Sequence, residues 1–114
     1  MLPKDTQVLG VILHRIETVL GYCNNRSVED FGKDSMLAEA CVFNLLQIGE
    51  ACSRGLSDNF KNRYPEIPWR QISGLRNRIV HGYDDVQMTI IWETITEDLA
   101  GLHDKLMAIL QEKA

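Results

Sequence analysis

Residues 34–54 carry so much apolar surface that they dictate what must surround them. Met36, Leu37, Ala40, Cys41, Val42, Phe43, Leu45, Leu46, Ile48, Ala51 and Cys52 leave little of a helical circumference polar. An ordinary surface helix buries one stripe, whereas a helix this apolar needs neighbours on several sides. Bundle packing supplies two of them, and a partner subunit is a natural third. The pattern predicts one long helix over about 34–54, ended by Gly55.

The flanking segments supply candidate neighbours. Residues 5–22 put Val8, Val11, Ile12, Ile16, Val19 and Leu20 on one stripe, with Asp5 as the predicted N-cap. Asn24-Asn25-Arg26 ends that helix, and 27–31 and 57–64 read as short helical turns. Pro65 and Pro68 bracket a break, and Pro68 suits the first position of a helix carrying Trp69, Ile72, Leu75, Ile79 and Val80 inward as far as Gly82. Asp85 reads as the cap of a last helix over about 86–112, with Met88, Ile91, Trp92, Ile95, Leu99, Leu102, Leu106 and Leu110 at core spacing. No strand-like alternation stands out. A chain of 114 residues, 45% hydrophobic and 25% charged, fits a single domain over 1–114. The expected fold is all-α: an up-and-down four-helix bundle with one or two short extra helices, homodimeric.

No apolar run approaches the roughly 20 residues of a membrane span, and the first residues lack a hydrophobic signal region. A cytoplasmic protein with no membrane contact is expected. Cys23, Cys41 and Cys52 cannot all pair, and none forms a C-x-x-C. Cys41 and Cys52 fall roughly 16 Å apart along one helix axis and cannot bridge within it. The three are expected to be reduced, buried, small hydrophobes. His14 and His103 have no carboxylate or cysteine at ligand spacing, so no metal site and no cofactor is expected.

The net charge of −4 conceals an imbalance. Residues 54–81 hold six basic side chains (Arg54, Lys61, Arg63, Arg70, Arg76, Arg78) and two acidic ones (Asp58, Glu66), which makes that segment +4 and the remainder −8. This suits a local anionic ligand on an acidic body better than a broad nucleic-acid footprint. A plain solvated basic stretch is the alternative.

The chemistry concentrates in Leu75-Arg76-Asn77-Arg78-Ile79-Val80-His81-Gly82-Tyr83-Asp84-Asp85. Guanidinium is a permanently charged fork of donors suited to phosphate, and imidazole carries protons both ways near neutral pH. Metal-free RNA cleavage by a ribose 2′-OH needs that kit: a base, an acid, and positive charge at the phosphate. His81 could be base or acid, and Arg76 could hold the non-bridging oxygens. Each has a structural alternative, His81 as a C-terminal capping residue and Arg76 as a surface ion-pair partner. Asn77 lies one turn before His81 and could orient it; Arg78 points to solvent or an RNA backbone. Asn44, Gln47 and Glu50 recur every three residues amid apolar neighbours, and either line a polar cleft with Arg76 or form a structural network.

Taken together, Arg76, His81 and Tyr83 in an Arg-x4-His-x-Tyr pattern, Tyr64-Pro65-Glu66-Ile67-Pro68-Trp69 and Asn44-x2-Gln47-Ile48-Gly49-Glu50 resemble the HepT-like branch of the HEPN ribonucleases. The resemblance covers nearly the whole chain. It implies a toxin of a type VII-like toxin–antitoxin pair, a metal-independent endoribonuclease with RNA, and by resemblance tRNA, as substrate. It also bears on geometry. Positions five apart on a helix are separated by roughly 140°, so Arg76 and His81 do not share a face. Either the helix relaxes near Gly82 and the long Arg76 reaches around, or two chains bring their motifs together; the resemblance implies the second, a homodimer whose interfacial cleft holds both Arg–His pairs. It further implies that Tyr83 receives AMP from an MntA-type nucleotidyltransferase antitoxin, which would block the cleft. A rival reading of another class keeps the same residues for phosphate binding in a non-catalytic subunit of a two-component nucleotidyltransferase. A helical dimerisation module with no ligand is a third.

Overall fold

The computed structural model describes residues 2–82 and 85–112, and for 80–82 and 85–87 the backbone alone. Among the described residues there is no strand. Helix α1 is Pro3–Cys23, α2 Val28–Lys33, and α3 Ser35–Glu50, which continues as a π-helical turn over Ala51–Gly55. Helix α4 is Asp58–Arg63, α5 Trp69–Ser73, α6 Leu75–Gly82 and α7 Asp85–Glu93; a second π turn, Thr94–Asp98, leads into α8, Leu99–Glu112. The packing follows chain order. α1 lies on α3, α3 on α5 and α6, α6 on α7, and α8 returns to α1, which closes a ring of four long segments with α2 and α4 outside it. No described helix is long and apolar enough to cross a membrane.

Asp5 is not the N-cap of α1. The helix starts two residues earlier, with Pro3 in its first turn, where the missing N–H and fixed φ of proline cost nothing. Asp5 is 2% exposed, and its carboxylate accepts hydrogen bonds from the Ser57 N–H at 2.8 Å and the Ser57 hydroxyl at 2.7 Å. The Ser57 hydroxyl oxygen in turn accepts from the Phe60 N–H and caps α4. One carboxylate thereby fixes the start of the chain to the segment after α3. The buried stripe of α1 is Leu9, Ile12, Leu13, Ile16, Val19 and Cys23, and Val11 faces outward.

Helix α2 opens with a capping box between Ser27 and Asp30, whose carboxyl is held below its ordinary range by the Ser27 backbone N–H. Its Phe31 meets Trp92 of α7, ring centroids 5.2 Å apart. Asp34 caps α3 through the Leu37 N–H. On α3, Leu37, Ala38, Cys41, Leu45, Ile48 and Gly49 are buried and Met36 and Phe43 are exposed. Because α1, α2, α5 and α6 all contact α3, the chain covers most of its apolar circumference by itself.

The single helix expected from Pro68 to Gly82 is two. Pro68 sits one position before the helix, as its N-cap, and Gly74 interrupts the run. The Gly74 N–H still reaches the Arg70 carbonyl at 2.9 Å, but glycine is a poor helix former and the axis restarts at Leu75. Asp85 is likewise the first residue of α7 rather than a cap before it. All three cysteines are free and buried, and burial pushes the Cys52 thiol up to about 12.

Asp5→Ala should lower stability by about 1–3 kcal/mol in urea unfolding, since it strands a buried N–H and a hydroxyl. A loss below about 0.5 kcal/mol, the range of a surface change, would show that the Asp5–Ser57 link is not a stabilising contact.

Candidate active site

The segment before α6 is clamped by aromatic packing. Phe60 of α4 packs on Tyr64 and Trp69, with centroids 5.1 and 5.8 Å away, and the Trp69 indole N–H donates to the Tyr64 carbonyl at 2.9 Å. Ile67 is buried between the two prolines. The Tyr64–Trp69 part of the sequence pattern therefore serves as an anchor, delivering the chain to α5 in a fixed direction.

From there α5 and α6 cross α3 at Gly49. A Cβ on residue 49 would stand 3.1 Å from the Ile72 carbonyl oxygen, 3.5 Å from the Leu75 Cβ and 3.8 Å from the Arg76 nitrogen. A side chain there would require the Ile72 carbonyl to give way by a few tenths of an ångström, which glycine avoids. Leu75 and Ile79 are buried on α6, and Arg76, Asn77 and Arg78 are left exposed. The helix is thus held by its apolar edge, with its charged edge turned to solvent.

The side chains of Arg76 and Asn77 have no hydrogen bond or ion pair among the described residues. Arg78 differs: its guanidinium donates to the Gln71 carbonyl at 3.2 Å and spans the break at Gly74. It also borders a cleft of about 350 Å³ shared with Glu97, Asp98 and Lys105. His81 belongs by its backbone to the last turn of α6, and its side chain lies outside the described residues. Tyr83 also lies outside them.

The polar stripe of α3 does not converge on Arg76 through side-chain bonds. Asn44 is buried, accepting from Arg15 of α1 at 3.1 Å and donating to the Ala40 carbonyl at 2.8 Å. Glu50 pairs with Arg54 one turn on, at 3.0 Å. What α3 brings to Arg76 is the bare backbone of Gly49. The basic surplus of 54–81 is partly absorbed too, because the Lys61 ammonium caps the carbonyls of Cys52 and Ser53 at 3.0 and 3.2 Å. Arg63, Arg70, Arg76 and Arg78 stay without a counter-charge among the described residues, and of these Arg78 bonds a carbonyl.

Some contacts are invisible to helical periodicity. The Arg15 guanidinium lies over the Phe43 ring, 5.4 Å from its centroid, besides bonding Asn44. His103 meets Glu17 at 2.7 Å across α1 and α8. A lone asparagine among apolar neighbours signals that a donor must come from somewhere, but not from which helix. Among the described residues no group of three His, Cys, Asp or Glu is placed to hold a metal ion.

A profile of the HepT-like ribonuclease family matches residues 12–109, and the chain belongs to that family. A protein from Caldanaerobacter subterraneus subsp. tengcongensis whose name proposes an RNase is 36% identical over 102 residues, covering 90% of each chain. A Thermococcus cleftensis protein named Probable ribonuclease HepT is 34% identical over 94 residues, covering 82% of this chain and 84% of its own. No solved structure matches significantly. An all-α bundle with an exposed arginine on the motif helix is thus a member of a ribonuclease family, and an RNase function is what that membership supports.

Gly49→Ala tests the crossing. Alanine gains up to about 1 kcal/mol in helix propensity, but displacing a backbone carbonyl costs about 1–3 kcal/mol, so denaturant unfolding should show a net loss. A stabilised variant would mean that α5 and α6 are not held where the close approach puts them.

Proposed function

We propose that the chain is the toxin of a toxin–antitoxin pair, a metal-independent endoribonuclease that cleaves RNA by attack of a 2′-OH on the adjacent phosphate. The observation that carries this reading is Arg76, exposed and without a counter-charge among the described residues on the helix that also contains His81 in a ribonuclease family member. A guanidinium with no carboxylate partner among the described residues is available to the non-bridging phosphate oxygens, where charge accumulates in the transition state. His81 moves the proton, as base toward the 2′-OH or as acid toward the departing 5′-oxygen. Its place at the C-terminal end of a helix favours the protonated form, because the helix dipole is negative there. Asn77 and Arg78 stand on the same helix as contacts for imidazole or RNA backbone. Asn44 bonds Arg15 and Glu50 pairs with Arg54, so neither side chain contacts Arg76 directly.

The roughly 140° between positions 76 and 81 is relieved when two chains contribute one residue each to one phosphate. Met36 at 80% exposure and Phe43 at 54%, with Val11 and Tyr22 on α1, offer apolar surface for a homodimer. Phe43→Glu and Met36→Glu should yield monomers by light scattering, and those monomers should lose cleavage. A fully active monomer would sink the shared site.

Arg76→Ala and His81→Ala should each reduce cleavage by roughly 10²–10⁴-fold or more, with helical signal and oligomeric state intact. Product should carry a 2′,3′-cyclic phosphate, and cleavage should persist in EDTA. Wild-type rates in either variant remove the site assignment, and a strict Mg²⁺ requirement overturns the mechanism.

The partner in this reading is an MntA-type nucleotidyltransferase that transfers AMP to Tyr83. An adenylate two residues beyond His81 adds negative charge and bulk that compete with RNA for Arg76. Tyr83→Phe should then fold normally, resist modification and escape much of the neutralisation. Suppressed toxicity with no adenylate on the co-expressed protein would instead mean inhibition by binding alone.

A further inference from the structure

Two cysteines that the ribonuclease reading does not use meet where α1 ends against α3. Cys23 is the last residue of α1 and Cys41 lies early in α3, yet their sulfurs stand 3.6 Å apart. Cys23 is 8% exposed and Cys41 fully enclosed, and both are free. A disulfide needs a sulfur separation of about 2.05 Å, so a closing of roughly 1.5 Å makes the bond. Cys52, eleven residues further along α3 and its π turn, is about 16 Å from Cys41 along the axis and has no such neighbour.

The two thiols are not equivalent. The two sulfurs share one hydrogen bond, and that bond, aided by the charge of Arg26, holds the Cys23 thiol below its ordinary value against the effect of burial. The same bond and its own burial push Cys41 up. Cys23 closes α1 at its C-terminal end, where the helix dipole disfavours a thiolate, yet it borders the exposed turn in which Asn25 adopts φ 61°. It is the more nucleophilic and the more reachable sulfur, with the other one behind it.

We propose that Cys23 and Cys41 are a reversible redox pair that closes to a disulfide when the protein meets a low-molecular-weight disulfide such as oxidised glutathione. The Cys23 thiolate attacks one sulfur of oxidised glutathione, breaking its S–S bond and releasing one glutathione thiolate. Cys41 then attacks the Cys23 sulfur, its proton passing to the second departing glutathione. The protein loses two hydrogens and two electrons, and one glutathione disulfide becomes two thiols. The bond would covalently close residues 24–40, a segment now held by the Ser27–Asp30 capping box and an Arg26–Asp34 ion pair at 3.6 Å, both exposed. Closing that loop restricts the unfolded chain and raises the melting temperature.

The test uses the full chain, treated with oxidised glutathione and then titrated for thiols under denaturing conditions. Reactive thiols should fall from the three of the sequence to one, with intact mass lower by two hydrogens. Peptide mapping should find Cys23 joined to Cys41, and dithiothreitol should restore all three thiols. Cys52→Ala should leave the bridge in place and titrate to zero, and the oxidised wild type should melt above the reduced form. Three persisting thiols, a stable glutathione adduct on Cys23, a bridge to Cys52 or a bridge between chains would each overturn the proposal. None of these outcomes depends on whether the protein cleaves RNA.

Discussion

The Ile72 carbonyl oxygen lies 3.1 Å from the point where residue 49 would carry a Cβ, and the position of the motif helix follows from that contact. Protein interiors are packed too tightly to absorb a methyl group between two backbones without moving one of them. Burying Leu75 and Ile79 against α3 then determines which edge of α6 meets solvent, and Arg76, Asn77 and Arg78 occupy it. Upstream, the Phe60, Tyr64 and Trp69 rings fix the angle of approach. The arginine motif is exposed because of how firmly the opposite side of the same helix is held.

Charge is distributed according to the same logic. Lys61 neutralises carbonyls at the end of the first π turn, Arg54 takes Glu50, and Arg15 takes Asn44 and the face of Phe43. A cation used within the fold is not available to a ligand. Arg63, Arg70, Arg76 and Arg78 remain without a counter-charge among the described residues; Arg78 spends its guanidinium on the Gln71 carbonyl, and Arg76 is the one beside the α3 crossing. The local surplus seen in composition is thereby narrowed to fewer residues than the sequence count implies.

Fold class and the order of the long helices were legible because apolar spacing reports directly on which face is buried. The apolar run of α3 and the break before Trp69 follow from local chemistry. Asp5 was misread because its side chain serves a partner 52 residues away, and a cap pattern looks only a turn ahead. The division at Gly74 was missed because Leu75 and Ile79 keep the inward spacing across it. In the site, Arg76 and its neighbours were legible as chemistry, and Asn44 and Glu50 as residues needing partners. Which partners they take depends on neighbouring helices that periodicity does not name.

The two π turns, Ala51–Gly55 and Thr94–Asp98, have a further mechanical meaning. The first ends α3, and Leu56 after it is extended. In the second, buried residues are spaced by four twice in succession, Ile91, Ile95 and Leu99. In a regular α-helix each four-residue step overshoots a full turn by roughly 40°, so two of them turn the stripe by roughly 80° across the buried face, and an i→i+5 turn takes up part of that drift. A chain one residue shorter between 94 and 98 would restore four-then-three spacing and an ordinary helix, with Ile91 and Leu99 still inward. Length variation by a single residue at the second turn is therefore tolerated by the buried faces on either side of it.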